Sequence, residues 1–215
     1  MKKTVDLVMF DLDGTLADTG RDLADAVNFT RAHFDRAPLP DQAVFAHVGR
    51  GVEHLLRQAL PEESPVRFHE VWRVFLQRYE YHLLDRTALY PGAREILDYF
   101  RDKRRVVISN KIERLAVAVV RGLGVGDQFD TILGGDSAAE KKPHPALVNM
   151  ALRRFQISPS RALMVGDGDT DIVAGKGAGV VTCGVTYGLG NKDDLIAAKP
   201  DFLIQNLFQL SAYFC

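Results

Sequence analysis

Four short apolar runs along the chain each stop abruptly at a polar cluster. Residues 5–10 end at Asp11-Leu12-Asp13-Gly14-Thr15, residues 105–108 at Ser109-Asn110-Lys111, and residues 162–165 at Gly166-Asp167-Gly168-Asp169-Thr170-Asp171. Residues 131–133 lead through Gly134-Gly135-Asp136 to Lys141-Lys142-Pro143-His144-Pro145. Largely apolar runs of this length predict strands buried on both faces, as in a parallel sheet. Helical periodicity is expected over residues 93–103, 113–122 and 145–155, with late strands near Val180 and Phe202. This alternation predicts an α/β fold, a Rossmann-like doubly wound parallel sheet. Ligands of such sheets bind outside the carboxyl ends of the strands, so the four polar clusters are expected to converge on one crevice.

Between the first and second runs the strand pattern vanishes. Leu23, Val27, Thr30 and Phe34 make one helical stripe, and Phe68, Val71, Trp72, Phe75, Tyr79 and Leu83 make another. Such stripes are packing faces, so Trp72 and its aromatic neighbours are expected to be core. Prolines at residues 38–40 and 61–65 separate the helices. The chain thus divides into a sheet unit, residues 1–17 and 86–215, and an inserted all-helical unit, residues 18–85, whose second linker lies around residues 85–90.

Composition narrows the class. With 215 residues and 47% hydrophobic content, the chain can bury a substantial core. The formal net charge of -1, with arginines interleaved among Asp and Glu, gives no support for nucleic-acid binding. Two cysteines, Cys183 and Cys215, suggest no disulfide framework, and reduced thiols in the cytoplasm are the simpler expectation. Asp6, Asp11 and Asp13 leave no room for an apolar targeting core after Lys2-Lys3. No segment is long enough to span a membrane, and the glycosylation triplet Asn28-Phe29-Thr30 has no force without secretion.

The chemistry centres on the first cluster. In extended backbone, residues two apart project to the same side, so Asp11 and Asp13 can aim at one point. A divalent cation relieves the repulsion between two such carboxylates, and hard oxygen ligands suit magnesium. Taken alone, the pair reads equally as an Asp-rich turn. Duller readings also exist for the other clusters. Lys142 can be a solvated lysine before a loop, and Ser109 and Asn110 can cap the helix near Glu113. Asp169 and Asp171 can be helix-start residues, and His144 is expected to bond a loop.

Together the clusters are more specific. Asp11-Leu-Asp13-Gly-Thr-Leu, the Ser109 hydroxyl after a strand, Lys142 of Lys-Pro-His-Pro, and Gly166-Asp167-Gly-Asp-Thr-Asp171 resemble the haloacid dehalogenase-like superfamily in order and context. Val48-Gly-Arg-Gly51 and Val185-Thr-Tyr-Gly188 resemble its phosphoglycolate phosphatase branch. The resemblance implies that Asp11 is a nucleophile forming an aspartyl-phosphate, and that Asp13 acts first as acid and then as base. It implies magnesium held by Asp11, the Asp13 backbone carbonyl and Asp167, with Asp171 as an outer ligand or orienting partner. Lys142 would offset the Asp11 charge and contact phosphate, while Ser109, Asn110 and the amides of the Gly14-Thr15 loop donate hydrogen bonds to it.

The helical insert resembles that superfamily's mobile cap, which closes over the site and sets substrate choice. Arg50, in a turn between cap helices, suits a substrate carboxylate, although an exposed turn arginine is an equal reading. The expected partner is then a small phosphorylated acid such as 2-phosphoglycolate, with no nucleic acid and no membrane, and the chain a monomer or homodimer. Asp13 argues against a dehalogenase, and the absence of lysine from residues 18–85 argues against a phosphonatase. A sugar-phosphate mutase, which usually carries an apolar residue where this chain has Thr15, stays open, as do a pyrophosphatase and a nucleotidase. A catalytically dead binding protein is disfavoured by the intact acidic and basic residues. Ser109 stands where threonine is common, and Gly168 where serine is frequent, which removes one possible hydrogen bond near the metal.

Overall fold

A computed structural model describes residues 2–61 and 64–215. The predicted separator at residues 61–65 therefore includes two positions, 62 and 63, outside the described residues.

Six strands form one sheet: β1 (Leu7–Phe10), β4 (Arg104–Ile108), β5 (Thr131–Leu133), β6 (Ala162–Gly166), β7 (Val181–Val185) and β8 (Phe202–Ile204). Every pairing is parallel and the spatial order is β5-β4-β1-β6-β7-β8. The chain order reverses at β1, so a crevice opens between the ends of β1, β4 and β6. Side-chain alternation explains the unbroken apolar runs. Leu7 and Met9 pack on one face with Leu147, Val148 and Ala174, whereas Val8 and Phe10 pack on the other with Ile96, Ala116 and Phe214. Helices α5 (Ala93–Tyr99), α6 (Glu113–Gly122), α7 (Ala146–Phe155), α8 (Asp169–Gly177), α9 (Lys192–Ala197) and α10 (Leu210–Tyr213) accompany these strands.

Two boundaries differ from the sequence expectation by more than one residue. Strand β1 begins at Leu7 rather than at residue 5; Asp6 before it still bonds both neighbouring segments through its backbone and turns its carboxylate out to Arg161 in a two-pronged pair of 2.6 and 2.7 Å. Helix α5 stops at Tyr99 rather than at residue 103, since Phe100 turns inward, fully buried, and its carbonyl accepts from Lys103 N.

Among the described residues, four helices occupy the insert: α1 (Gly20–His33), α2 (Asp41–Phe45), α3 (Val52–Ala59) and α4 (Pro65–His82). Both expected stripes are inward-facing, with Trp72 half-buried at the edge of the second. Their apolar cluster continues into the sheet face through Leu16, Leu115 and Phe10, so insert and sheet share one core. The chain enters and leaves the insert through a ribbon the sequence pattern did not predict. Here β2 (Ala17–Asp18) pairs antiparallel with β3 (Ala88–Leu89). Beside it, the buried Asp22 carboxylate accepts from Arg86 N, Thr87 N and Thr87 Oγ1 at 2.7–3.0 Å. Among the described residues no helix is long and apolar enough to cross a membrane.

Candidate active site

Strand β1 delivers Asp11 to the crevice, and the ladder continues one residue further as Asp11 N donates to Val165 O. The next turn is tight. Gly14 has φ +85°, and a Cβ there would lie 2.1 Å from Asp167 Oδ2, so only glycine lets this loop pass the second acidic strand end. Asp167, just beyond β6, is held by three donors. Thr15 Oγ1 donates to its Oδ1 at 3.1 Å, and the Leu189 and Gly190 amides to its Oδ2 at 2.8 Å each. Gly188 is close-packed for the same reason, a Cβ there falling 2.4 Å from Asp167.

Asp11, Asp167 and Asp171 each offer a carboxylate oxygen within 4.8 Å of the others, and all three are buried. One cation is built in among them. Lys142 Nζ lies 2.9 Å from Asp11 Oδ1 and 2.6 Å from Asp171 Oδ1, and donates to Ile108 O at 2.7 Å. Burial works against its ammonium, but Asp11 and Asp171 outweigh it and raise the Lys142 pKa. Three carboxylates against one lysine leave excess negative charge. Burial, opposed by Lys142 and reinforced by Asp171 and Asp13, pushes Asp11 up to about 7. Burial, with Asp11 beside it, likewise pushes Asp167 up to about 7 against the Gly190 amide and Thr15. Asp171 is raised in the same sense by burial, with Lys142 opposing. Buried hard-oxygen donors carrying uncompensated charge fit a divalent cation.

Asp13 points elsewhere. Its Oδ1 accepts from Thr19 Oγ1 at 2.6 Å and lies 3.1 Å from Lys111 Nζ. Lys111 Nζ in turn donates to the hydroxyl of Tyr79 on α4 at 3.0 Å. Asp13 stands on the wall between two pockets. The first is acid-rich and also contains Asp11, Arg50, Asp167, Asp169 and Asp171. The second is mainly apolar, lined by Leu23, Val52, Leu55, Phe75 and Leu115, with Ser109, Asn110, Lys111, Tyr79 and His47.

The remaining residues singled out in the sequence fall around these pockets. Asn110 Nδ2 donates to Lys142 O at 2.8 Å and to Gly49 O of the insert at 2.9 Å. Ser109 Oγ accepts from Lys111 N at 3.2 Å, and neither Ser109 nor Asn110 caps α6; Asp136 accepts from Glu113 N instead. Thr15 is fully buried, its hydroxyl directed at Asp167. Arg50 Nη2 lies 3.0 Å from both Asp169 oxygens, half-exposed at the pocket rim. Asp171 also accepts from Gly168 N at 3.0 Å, and His144 Nδ1 accepts from Ala146 N.

The sequence assigns no chemical role to Thr19, Lys111 or the Leu189-Gly190 amides, and places Tyr79 only as core. Lys111 stood in view as the end of a strand-terminal cluster. Tyr79 was submerged in an apolar stripe, because periodicity reports the face a ring takes and not what its hydroxyl meets.

Comparison with known proteins adds to this geometry. The family model described as haloacid dehalogenase-like hydrolase matches residues 8–185. A phosphoglycolate phosphatase of Chromobacterium violaceum is 37% identical, over 97% of each chain. One from Neisseria meningitidis is 36% identical, over 94% of this chain and 91% of its own. Among solved structures, a predicted phosphoglycolate phosphatase from Haemophilus somnus superposes with a TM-score of 0.93 at 28% identity, covering 97% of each chain. CbbY from Rhodobacter sphaeroides, in complex with phosphate, gives 0.83 at 25% identity over 96% of each chain.

Proposed function

The chain belongs to the haloacid dehalogenase-like hydrolase family, and from that premise we propose that it is a magnesium-dependent phosphomonoester hydrolase acting on 2-phosphoglycolate or a similarly small phosphorylated acid. The observation that carries this reading is the buried Asp11–Lys142–Asp171 ion cluster beside Asp167, at the point where the strand order reverses.

In this reading Asp11 attacks phosphorus in line. The new Asp11 oxygen–phosphorus bond forms as the bond to the leaving oxygen breaks, and Asp13 gives that oxygen a proton. Asp13 then takes a proton from the water whose oxygen bonds to phosphorus, freeing Asp11. The position of Asp13 at the edge of the acid-rich pocket that also contains Asp11 and Arg50 supports this double role, since the phosphoryl group and the leaving oxygen would both lie within its reach there. Asp11, the Asp13 backbone carbonyl and Asp167 would hold magnesium, with Asp171 as outer partner; when bound, the ion neutralises phosphoryl charge and favours the ionised carboxylates. Lys142 keeps Asp11 ionised for attack, and the Ser109 hydroxyl and the Asn110 backbone N–H donate toward the phosphoryl oxygens, the Asn110 side-chain amide being held by Lys142 O and Gly49 O. Arg50 pairs with the substrate carboxylate in exchange for Asp169. The apolar second pocket shields the reaction from bulk water.

The test is phosphate release, with magnesium and with chelator, from 2-phosphoglycolate, β-glucose 1-phosphate, nucleoside monophosphates, pyrophosphate and 4-nitrophenyl phosphate. Preference for phosphoglycolate is expected. Asp11→Asn should keep the fold and release no phosphate from any ester, and full activity in that variant would sink the nucleophile assignment.

A further inference from the structure

The acid/base Asp13 is not left to find its own orientation. Among the described residues, both of its polar side-chain partners fall on one oxygen, Oδ1: the Thr19 hydroxyl at 2.6 Å and the Lys111 ammonium at 3.1 Å. Lys111 is held in turn. It comes from the loop after β4, is buried, and donates to the Tyr79 hydroxyl at 3.0 Å while lying 4.7 Å from that ring's centroid. Tyr79 belongs to α4 of the insert, is almost fully buried, and stacks on Phe75 at 5.6 Å with 19° between the planes. A chain of contacts therefore runs from the insert's aromatic core to the acid/base.

Resting on the functional reading above, we infer that Lys111 and Tyr79 are positioning residues for Asp13: Tyr79 fixes the Lys111 ammonium, and Lys111 fixes Asp13 through Oδ1, leaving Oδ2 to give and take the proton. The two residues come from different units of the chain. Asp13 is correctly oriented only when α4 lies against the β4 loop, so proton transfer is available only with the insert seated.

The chemistry separates this role from a merely structural one. The alkoxide of glycolate needs a proton as it leaves, whereas 4-nitrophenolate leaves without one; both need Asp13 as base in the second step. Tyr79→Phe keeps the ring and removes only the acceptor, and Lys111→Met replaces the ammonium by an apolar chain of similar length. General acid–base catalysis contributes about 10²–10⁴-fold, so a misaligned Asp13 should lower turnover of 2-phosphoglycolate about tenfold or more. KM should move less than about threefold, as expected when ground-state binding is untouched. With 4-nitrophenyl phosphate, rapid mixing should show one equivalent of nitrophenolate in a burst, then slow turnover as the aspartyl-phosphate waits for its base. Equal loss on both substrates without a burst would overturn the inference in favour of a structural role. An effect confined to KM would overturn it in favour of substrate binding. A parent enzyme inactive on every ester would instead remove the functional reading, and the inference with it.

Discussion

Burial, and after it the neighbouring charges, governs how single side chains in this site hold their protons. Asp11 and Asp167, each shifted from an ordinary value of 3.8 to about 7, hold protons in the folded chain at pH values where the unfolded chain has lost them. Between about pH 4 and about 7 the folded state binds more protons, so the metal-free protein should lose stability as pH rises through that window. On the proposed magnesium site, the ion would favour the ionised carboxylates, so its stabilising effect should grow over the same window. Thermal melts from pH 4.5 to 8, with magnesium and with chelator, check both slopes. A magnesium effect that did not grow with pH would mean that these carboxylates are not its ligands. Lys142 acts in the opposite sense, its raised pKa keeping the ammonium charged throughout this range.

At the scale of elements, buried side chains close the joints that periodicity cannot report. Asp22 on α1 satisfies the amides of Arg86 and Thr87 and the Thr87 hydroxyl where the chain returns to the sheet. Asp22→Ala leaves buried donors without an acceptor, at a cost on the order of 2 kcal/mol or more. Urea unfolding should show this as a lower midpoint with an unchanged slope. The sheet strands were legible because their apolar runs are buried on both faces and end in polar clusters. The β2–β3 ribbon was not, since two residues per strand carry no period. The end of α5 was missed for a related reason: neither glycine nor proline marks it, and the inward turn of Phe100 is a tertiary event. The acidic strand ends were readable as chemistry from their spacing. Asp22, by contrast, sits in a helix among other charged residues, and only the fold brings the returning linker to it.

Across the whole molecule, insert and sheet meet through polar bridges above a shared apolar core. Arg50 reaches Asp169, Asn110 reaches Gly49 O, and Lys111 reaches Tyr79. The Arg50 pair is partly exposed, so as a salt bridge it contributes little to stability, roughly 0–1 kcal/mol. Its importance is expected in selection among substrates. Arg50→Ala should raise KM for 2-phosphoglycolate about tenfold, the scale of one charge-assisted contact, and leave KM for 4-nitrophenyl phosphate nearly unchanged. Steady-state kinetics on the two esters decide it, and an equal rise on both would remove the carboxylate-pairing role. The place of Arg50 was the least legible feature of the chain, because only the fold brings its turn beside Asp169 at the acid-rich pocket.

The β2–β3 ribbon also bears on how the chain reaches this arrangement. Strand β1 must pair with β4, Leu7 opposite Arg104, although the entire insert intervenes in sequence. Closing a long flexible loop costs conformational entropy, and non-local pairing slows folding. Once Asp18 has met Ala88, the insert no longer lengthens the loop that β1–β4 pairing has to close. Bringing Asp18 to Ala88 closes the insert as a loop, so one long closure serves both pairings, and joining β1 to β4 then adds only the closure of a short tether.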